Sequence, residues 1–252
     1  TIAGTPREDE VLTASNTLAD ADGLGAISYQ WKRDDVAING ATNSTYTLVQ
    51  ADVGAAITVT ASYTDQGGTN ESVTSAATTA VVNVNDLPTG SVTITGTARE
   101  DEVLTASNTL ADADGLGAIS YQWKRDGIAI NGATNSTYTL LQADVGAAIT
   151  VTASYTDQGG MNESVTSPAT AKVLNVNDIP TLDELTDVSI NEDDPQQTQS
   201  LSGITAGDGE VQVLLVTAAS DNPGLIPDPT VTYTSPDTTG SIAFTPVADQ
   251  SG

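Results

Sequence analysis

An internal repeat constrains this sequence more than any other feature. Residues 93–181 match residues 1–89 with 11 differences at 89 aligned positions, so that Trp31 falls on Trp123. The period of 92 residues is longer than the roughly 20–50 residues of solenoid and propeller units, and it is close to the size of one β-sandwich domain. We therefore predict tandem domains that each bury a core of their own.

The repeat defines three predicted domains. Repeat one covers residues 1–88, repeat two covers 89–180, and a divergent repeat three covers 181–252. The match to the first two copies ends after Pro180, but alternating apolar and polar residues continue beyond it. Such alternation predicts further strands, at 211–217, 230–234 and 241–245.

Both ends of the sequence look interrupted. Thr1 aligns with the middle of a strand predicted at 91–98, and the tail 248–252 resembles the turn at 143–146 that precedes the sixth strand of repeat two. A third repeat that ended there would lack its last two strands. We therefore expect an excerpt of a longer array. The start shows no basic region followed by an apolar stretch, and so no visible signal peptide.

Each repeat is predicted to consist of short strands. In the segment 149–155, Ile149, Val151 and Tyr155 point to one face while threonine and serine point to the other. Turn sequences such as DADGLG, QADVG and DQGG separate the runs. About seven strands in roughly 90 residues, with no helical period, predict an all-β fold of tandem immunoglobulin-like sandwiches. Further strands are expected at 91–98, 103–110, 119–123, 136–140 and 164–176. We predict that Trp123 lies in the core of its repeat.

The composition excludes several classes of function. The chain has 33 acidic and 7 basic residues, a formal net charge of −26, and neither His nor Cys. It therefore cannot form disulfides, a thiolate nucleophile, an ordinary structural zinc site or a Ser-His-Asp triad. A field this negative repels nucleic acid and anionic lipid, so we expect no nucleic-acid partner and no membrane insertion. It favours hard cations, which prefer oxygen ligands.

Acidic groups recur at fixed positions of the repeat. Arg-Glu-Asp-Glu precedes the second strand, Asp-Ala-Asp-Gly lies between the second and third, a single Asp precedes the sixth, and each copy ends in Asn-Val-Asn-Asp-x-Pro. In a seven-strand sandwich the first-to-second and fifth-to-sixth loops lie at the pole where the chain leaves. The second-to-third and sixth-to-seventh loops lie at the opposite pole. The acidic loops of adjacent repeats and the linker should therefore meet at each junction.

This convergence predicts calcium at each junction. Carboxylates and amide carbonyls from three chain segments supply only oxygen, and Ca²⁺ takes six to eight oxygen ligands. A divalent cation would convert the self-repulsion of such a cluster into a rigid joint. At the first junction the predicted ligands are Glu8, Asp9, Asp52, Asn83, Asn85, Asp86, Asp112, Asp114 and Asp157. At the second they are Glu100, Asp101, Asp144, Asn175, Asn177, Asp178, Asp208 and Glu210.

Two segments of the sequence resemble the cadherin family. Glu100, ADADG at 111–115 and ISY at 119–121 resemble the cadherin pattern of a glutamate, then Asp-x-Asp-x-Gly, then a strand with Ile and Tyr. The linker NVNDLP at 83–88 resembles the cadherin Asp-x-Asn-Asp-Asn-x-Pro. The near-identical acidic copies without Cys resemble the extender repeats of giant RTX-type bacterial adhesins exported by type I secretion. The resemblance implies calcium at each junction and a stalk that holds an adhesive tip away from the cell.

The sequence also departs from the cadherin pattern. Asn83 replaces the first linker aspartate, Leu87 replaces the last asparagine, and the Asp-Arg-Glu ligand motif is missing. Fewer charged ligands imply fewer ions or weaker binding. We therefore expect one or two ions at each junction.

Other interpretations of the same residues stay open at this point. Asp-Ala-Asp-Gly is also a good turn, and the acidic loops could be solvated surface or an adaptation to high salt. Tyr29 and Trp31 could stack on sugars, but their strand alternation favours a core position. Carboxylates that are copied in every repeat at loop poles look structural, so we do not expect an enzyme.

The expected function is mechanical and adhesive. We expect a calcium-rigidified extender of a secreted or cell-surface bacterial adhesin that mediates attachment or biofilm formation. Its partners would be calcium ions, the neighbouring repeats, and a cell-surface or glycan target reached through domains outside this sequence. The alternatives are glycan- or protein-binding sandwich modules, or accessory domains of a large secreted enzyme. Near-identity of the first two copies favours a spacer, because a recognition site is usually not copied wholesale.

Overall fold

Short antiparallel strands account for nearly all of the regular structure. The computed structural model describes residues 1–250, and no helix in that range is long and apolar enough to cross a membrane. The chain forms two compact units. Unit one comprises Thr1–Val92, Asn108–Tyr121 and Thr152–Thr166, and unit two comprises Thr93–Ser107, Gln122–Val151 and Ser167–Gly252. The domain boundaries drawn from the sequence stay predictions.

Repeat one contains seven strands. They are β1 (Ile2–Ala3), β2 (Val11–Ala14), β3 (Ser28–Arg33), β4 (Val36–Ala37), β5 (Thr45–Thr47), β6 (Ile57–Thr64) and β7 (Asn70–Thr74). One sheet has the order β1-β2-β5 and the other has the order β4-β3-β6-β7. The strand pairs are antiparallel, with Trp31 opposite Val59 between β3 and β6. A 3₁₀ turn at Gln50–Asp52 leads from β5 to β6.

Repeat two follows the same plan. Its strands are β8 (Val92–Thr95), β9 (Val103–Asn108), β10 (Ser120–Arg125), β11 (Ile128–Ala129), β12 (Thr137–Thr139), β13 (Ile149–Thr156) and β14 (Asn162–Thr166). The sheet orders are β12-β9-β8 and β11-β10-β13-β14, and a 3₁₀ turn again precedes β13, at Gln142–Asp144. Three strands in one sheet and four in the other is the division of an immunoglobulin-like sandwich. The predicted fold class, tandem all-β sandwiches, is confirmed.

A tryptophan lies at the centre of each core. Trp31 is fully buried among Leu12, Leu48 and Ile57, and it stacks on Tyr46 with ring centroids 5.8 Å apart. Its indole nitrogen donates to the Asn43 carbonyl at 2.9 Å, so that its polar end is satisfied. Burial of each such apolar side chain stabilises the fold by about 1.5–3 kcal/mol. Trp123 is also fully buried. The core assignment of both tryptophans is confirmed.

Repeat three is less regular. Its strands are β15 (Gln197–Leu201), β16 (Thr230–Thr232) and β17 (Gly240–Phe244), in the sheet order β15-β17-β16. The predicted strand at 211–217 was wrong: this segment alternates in exposure but pairs with no strand among the described residues. Its apolar face is open, since Val211 is 95% exposed and Val213 is 92% exposed. The predicted turn at 248–252 ends in Ser251 and Gly252, which lie outside the described residues.

A buried ion pair anchors the 3₁₀ turn of each repeat. Asp52 is completely buried, and its Oδ1 lies 2.6 Å from a guanidinium nitrogen of Arg33. Its Oδ2 accepts from the Tyr46 hydroxyl at 2.8 Å and from the Val49 amide at 2.9 Å. Burial, and then the hydrogen bond to Asp52, raise the pKa of Tyr46 to about 12. The same contacts recur in repeat two among Arg125, Tyr138, Leu141 and Asp144.

Removal of this carboxylate should destabilise repeat one. Asp52→Ala leaves the Tyr46 hydroxyl and the Val49 amide without their acceptor, so we expect the free energy of unfolding to fall by about 2–3 kcal/mol. Urea unfolding measures the change. The matched control is Asp35→Asn, an exposed residue at a positive φ that asparagine tolerates, with an expected change within about 0.5 kcal/mol. Equal stability of the two variants would contradict the anchoring role.

Candidate metal centre

Three carboxylates from separate parts of unit one meet at the first linker. They are Glu8 from the turn before β2, Asp86 from the linker, and Asp114 from the loop between β9 and β10. One oxygen of each lies within 4.8 Å of an oxygen of the others. Glu8 is only 4% exposed and Asp114 only 5% exposed. The structure therefore brings together a carboxylate of repeat one, one of the linker and one of repeat two, as the sequence predicts.

The linker backbone holds this group in place. The Val84 amide donates to Glu8 Oε2 at 3.1 Å, and the Asp86 amide donates to Asp114 Oδ2 at 2.7 Å. The Glu8 amide in turn donates to the Val82 carbonyl at 2.9 Å. The linker is thus fastened to Glu8 on one side and to Asp114 on the other.

Asp112 has a positioning role at this site. Its Oδ1 accepts from the Asp114 amide at 2.9 Å, which closes a local turn of the kind that aspartate favours. Its Oδ2 accepts from the Tyr155 hydroxyl at 2.5 Å. Both carboxylate oxygens of Asp112 are therefore engaged. The residue orients Asp114 toward the linker.

Three buried side-chain oxygens of the residues predicted as ligands at the first junction lack a donor. Asp114 Oδ1, Asp157 Oδ2 and Asn83 Oδ1 have no hydrogen-bond partner among residues 1–250. Asp157 is 5% exposed, and its other oxygen accepts from the Met161 amide at 2.8 Å. A buried polar atom without a partner costs about 1–3 kcal/mol, and more when it is charged. A hard cation binds buried carboxylate and amide oxygens that lack donors, so the residues present fit a metal ion.

The carboxylates also repel one another. Burial is the main cause that raises the pKa of Glu8, and the charges of Asp86, Asp9 and Asp114 raise it further. The hydrogen bond from the Val84 amide opposes this shift. The two ion pairs of the described residues, Arg33 with Asp52 and Arg125 with Asp144, lie elsewhere. Negative charge at the linker is thus neutralised by backbone amides only in part.

The second linker, within unit two, repeats part of this arrangement. Glu100 Oε2 accepts from the Val176 amide at 3.1 Å, as Glu8 does from Val84. Asn175 donates to Glu210 at 2.7 Å, and the Asp208 amide donates to Asp178 Oδ2 at 3.1 Å. Among the described residues no three carboxylates of this junction come as close as those of the first. Asn177 donates to the Asp178 carbonyl at 3.0 Å.

Four predicted ligands lie outside these groups. Asp52 and Asp144 are engaged inside their repeats by the buried ion pairs, so the structure assigns them to the interior and not to a junction. Asp9 and Asp101 are exposed and adopt φ 65°, a turn conformation that aspartate tolerates better than most residues. The Asn85 side chain donates to Glu163 at 2.9 Å, a partner that the sequence prediction did not include.

A second acidic group, in repeat one, was missed. Asp20, Asp22 and Asp65 have oxygens within 4.8 Å of one another. The 92-residue offset aligns them with Asp112, Asp114 and Asp157, and Tyr63 donates to Asp20 as Tyr155 does to Asp112. The repeat alone could have identified them. The two groups differ in burial: Asp22 is exposed, whereas Asp114 is buried beside the linker.

Comparisons with known proteins give structural likeness only. No protein-family model matches the chain, and no curated protein matches it. Fibronectin(III)-like modules of CbhA from Clostridium thermocellum are similar at 20% identity over 67% of this chain and 86% of that chain, with a TM-score of 0.24. A marsupial T cell receptor is similar at 10% identity over 100% of this chain and 94% of that chain, with a TM-score of 0.32. The three N-terminal domains of the Highly Immunogenic Outer Capsid protein of bacteriophage RB49 are similar at 17% identity over 98% of this chain and 86% of that chain, with a TM-score of 0.25.

The class of the protein therefore follows from its own strands and site. The sheet orders and cores define tandem immunoglobulin-like β-sandwich repeats. The first linker joins two of these repeats through buried carboxylates that could hold a metal ion.

The raised pKa of Glu8 predicts a pH dependence of the calcium-free protein. Because the folded-state pKa lies above the ordinary value of 4.5, Glu8 stabilises the fold most when it is protonated, and this contribution is lost as the pH rises through the folded pKa. The free energy of unfolding of the wild type, minus that of Glu8→Gln, should therefore increase as the pH falls from the folded pKa of Glu8 toward its ordinary value of 4.5. Thermal unfolding of metal-free protein measures the difference. A difference that is flat or decreases toward acid would contradict the predicted shift.

Proposed function

We propose that this chain is a spacer segment of an extracellular bacterial adhesin, in which calcium fixes the linkers between β-sandwich repeats. One observation carries the proposal. Glu8, Asp86 and Asp114 converge from two repeats and their linker, and a buried oxygen of Asp114 lacks a donor. A group of this kind is costly to assemble unless a cation completes it.

The chemistry of these ligands favours calcium over other metals. Carboxylate and amide oxygens are hard ligands, and the chain has no His or Cys to attract zinc or copper. Calcium accepts an irregular set of six to eight oxygens, whereas magnesium demands near-octahedral geometry and retains several waters. The oxygens at the first linker come from two loops and an irregular linker, and such an irregular set suits calcium better than magnesium.

Calcium at this position would act on the linker. Glu8 belongs to repeat one and Asp114 to repeat two, while Asp86 lies on the segment that connects them. The bound charge would relieve the repulsion that raises the pKa of Glu8. Freedom of the linker to rotate would be lost, because its ligands would be shared with both neighbours. The joint would then transmit force from one sandwich to the next.

A spacer in an adhesin accounts for the remaining features better than a catalyst. The junction residues Glu8, Asn83 and Asp86 recur unchanged 92 positions later, as structural parts of an array do. A Cys-free acidic chain suits an exported protein that meets calcium only outside the cell. At a calcium concentration about 100 times the dissociation constant, one site would add roughly 2.7 kcal/mol to the folded state. That is a sizeable part of the stability of one small domain.

The calcium response of the whole chain tests the proposal. We expect calcium to raise the melting temperature by several degrees relative to chelator, and to increase the maximum dimension in small-angle scattering as the linkers stiffen. Asp114→Asn should remove the site at the first linker in a calcium titration, while the wild-type circular dichroism spectrum is kept. The matched control is Asp22→Asn, the same substitution at the exposed counterpart in repeat one, which should leave that site intact.

Two results would overturn the calcium-joint proposal. One is a melting temperature and a maximum dimension that are both the same in calcium and in chelator. The other is equal calcium binding at the first linker by Asp114→Asn and Asp22→Asn. An adhesive role is tested separately, by attachment assays of cells that display the full-length protein with intact or altered linkers.

A further inference from the structure

A buried tyrosine connects the core of repeat two with the first linker site. Tyr155 lies near the end of β13, which pairs with β10 on one side and with β14 on the other. Its side chain is only 4% exposed, so the sheet and the core fix the position of its hydroxyl group. This hydroxyl donates to Asp112 Oδ2 at 2.5 Å, a short hydrogen bond to a carboxylate. The core of repeat two therefore contacts the loop that carries Asp114.

Three hydrogen bonds in succession lead from this tyrosine to the linker. The first is the bond from Tyr155 to Asp112, and the second runs from the Asp114 amide to the other oxygen of Asp112 at 2.9 Å. In the third, the Asp86 amide of the linker donates to Asp114 Oδ2 at 2.7 Å. Asp114 Oδ1 is buried and has no hydrogen-bond partner among residues 1–250. The succession thus ends at the oxygen that a cation at this linker would use.

The tyrosine hydroxyl is a permanent donor in this succession. Burial, and then the hydrogen bond to Asp112, raise the pKa of Tyr155 above its ordinary value of 10.0. The hydroxyl therefore keeps its proton at neutral pH, and Asp112 is the acceptor. Because both oxygens of Asp112 are engaged, this carboxylate holds the backbone of Asp114 and does not turn toward the linker.

Repeat one contains the same tyrosine contact without a linker beyond it. Tyr63 donates to Asp20 Oδ2 at 3.0 Å, and the Asp22 amide donates to Asp20 Oδ1 at 2.8 Å. Asp22 is exposed, and among the described residues no amide donates to its carboxylate. The contact of Tyr63 therefore shows what the tyrosine does for its own repeat alone. In repeat two the same contact continues to Asp86.

We propose that Tyr155 is a positioning residue for the calcium ion at the first linker. Its hydroxyl fixes Asp112, and Asp112 fixes Asp114 with one oxygen left for the ion. The inference rests on the calcium joint proposed above and adds to it a residue that does not touch the ion. Groups that orient metal ligands contribute strongly to binding, since their loss typically lowers metal affinity about 10- to 100-fold.

A calcium titration of the full chain, followed by NMR at the Val84 and Asp86 amides, tests this role. Tyr155→Phe removes the hydroxyl and keeps the ring, so we expect calcium affinity at the first linker to fall by about tenfold or more. In chelator, the Asp114 amide should exchange several-fold faster than in the wild type, because Asp112 is no longer held. The matched control, Tyr63→Phe, removes the equivalent bond in repeat one and should change neither quantity.

A second variant tests the path through the carboxylate. In an Asp112→Ala background, Tyr155→Phe should cause no further loss of calcium affinity, because the tyrosine acts through Asp112. A further tenfold loss in that background would contradict this path. Should Tyr155→Phe fail to fold, Asp112→Asn weakens the same link, and we expect a similar loss of affinity from it.

The possible outcomes separate the two proposals. Equal calcium affinity of Tyr155→Phe and the wild type would overturn the positioning role, and so would an equal loss in Tyr63→Phe. If Tyr155→Phe lowers only the melting temperature in chelator, the tyrosine serves the core alone, and the calcium joint stands without it. If the wild type binds no calcium at the first linker, the calcium joint itself fails, and the positioning role fails with it.

Discussion

Hydrogen bonds from two linker amides to buried carboxylates are the interactions on which the arrangement of the first junction depends. The Val84 amide binds Glu8 of repeat one, and the Asp86 amide binds Asp114 of repeat two. These bonds place like charges close together, and burial strengthens the repulsion. Protonation of Glu8, or the cation proposed above, should therefore stabilise the linker geometry. On the calcium proposal, the conformation of the joint would then depend on the bound ion.

Aspartate has three separate roles in the first two repeats. Asp52 is a buried partner of Arg33 and holds the 3₁₀ turn. Asp112 is fully hydrogen-bonded and orients its neighbour, whereas Asp114 keeps one buried oxygen free of any partner among the described residues. The number of donors around each carboxylate separates these roles. Charge alone does not, because all three residues are acidic and at least partly buried.

The fold could be predicted because the sequence repeats and alternates. The strand around Trp123 and the core position of that residue follow from a period of two and from the size of the repeat. The segment 211–217 alternates equally well, but a strand also needs a hydrogen-bonding neighbour, which no local pattern specifies. At the site, loop topology correctly brought Glu8, Asp86 and Asp114 together. It could not show that Asp52 has Arg33 as a partner inside the sandwich.

Amide hydrogen exchange at the linkers tests the central claim most directly, because it reads the Val84 and Asp86 amides that hold the joint. The account predicts that calcium at about 100 times its dissociation constant slows exchange of these two amides by roughly 100-fold relative to chelator, if they exchange through opening of the joint. The amide of Val59, in the core of repeat one, should change much less. Equal exchange of Val84 and Asp86 in calcium and in chelator would contradict a joint that is fixed by the ion.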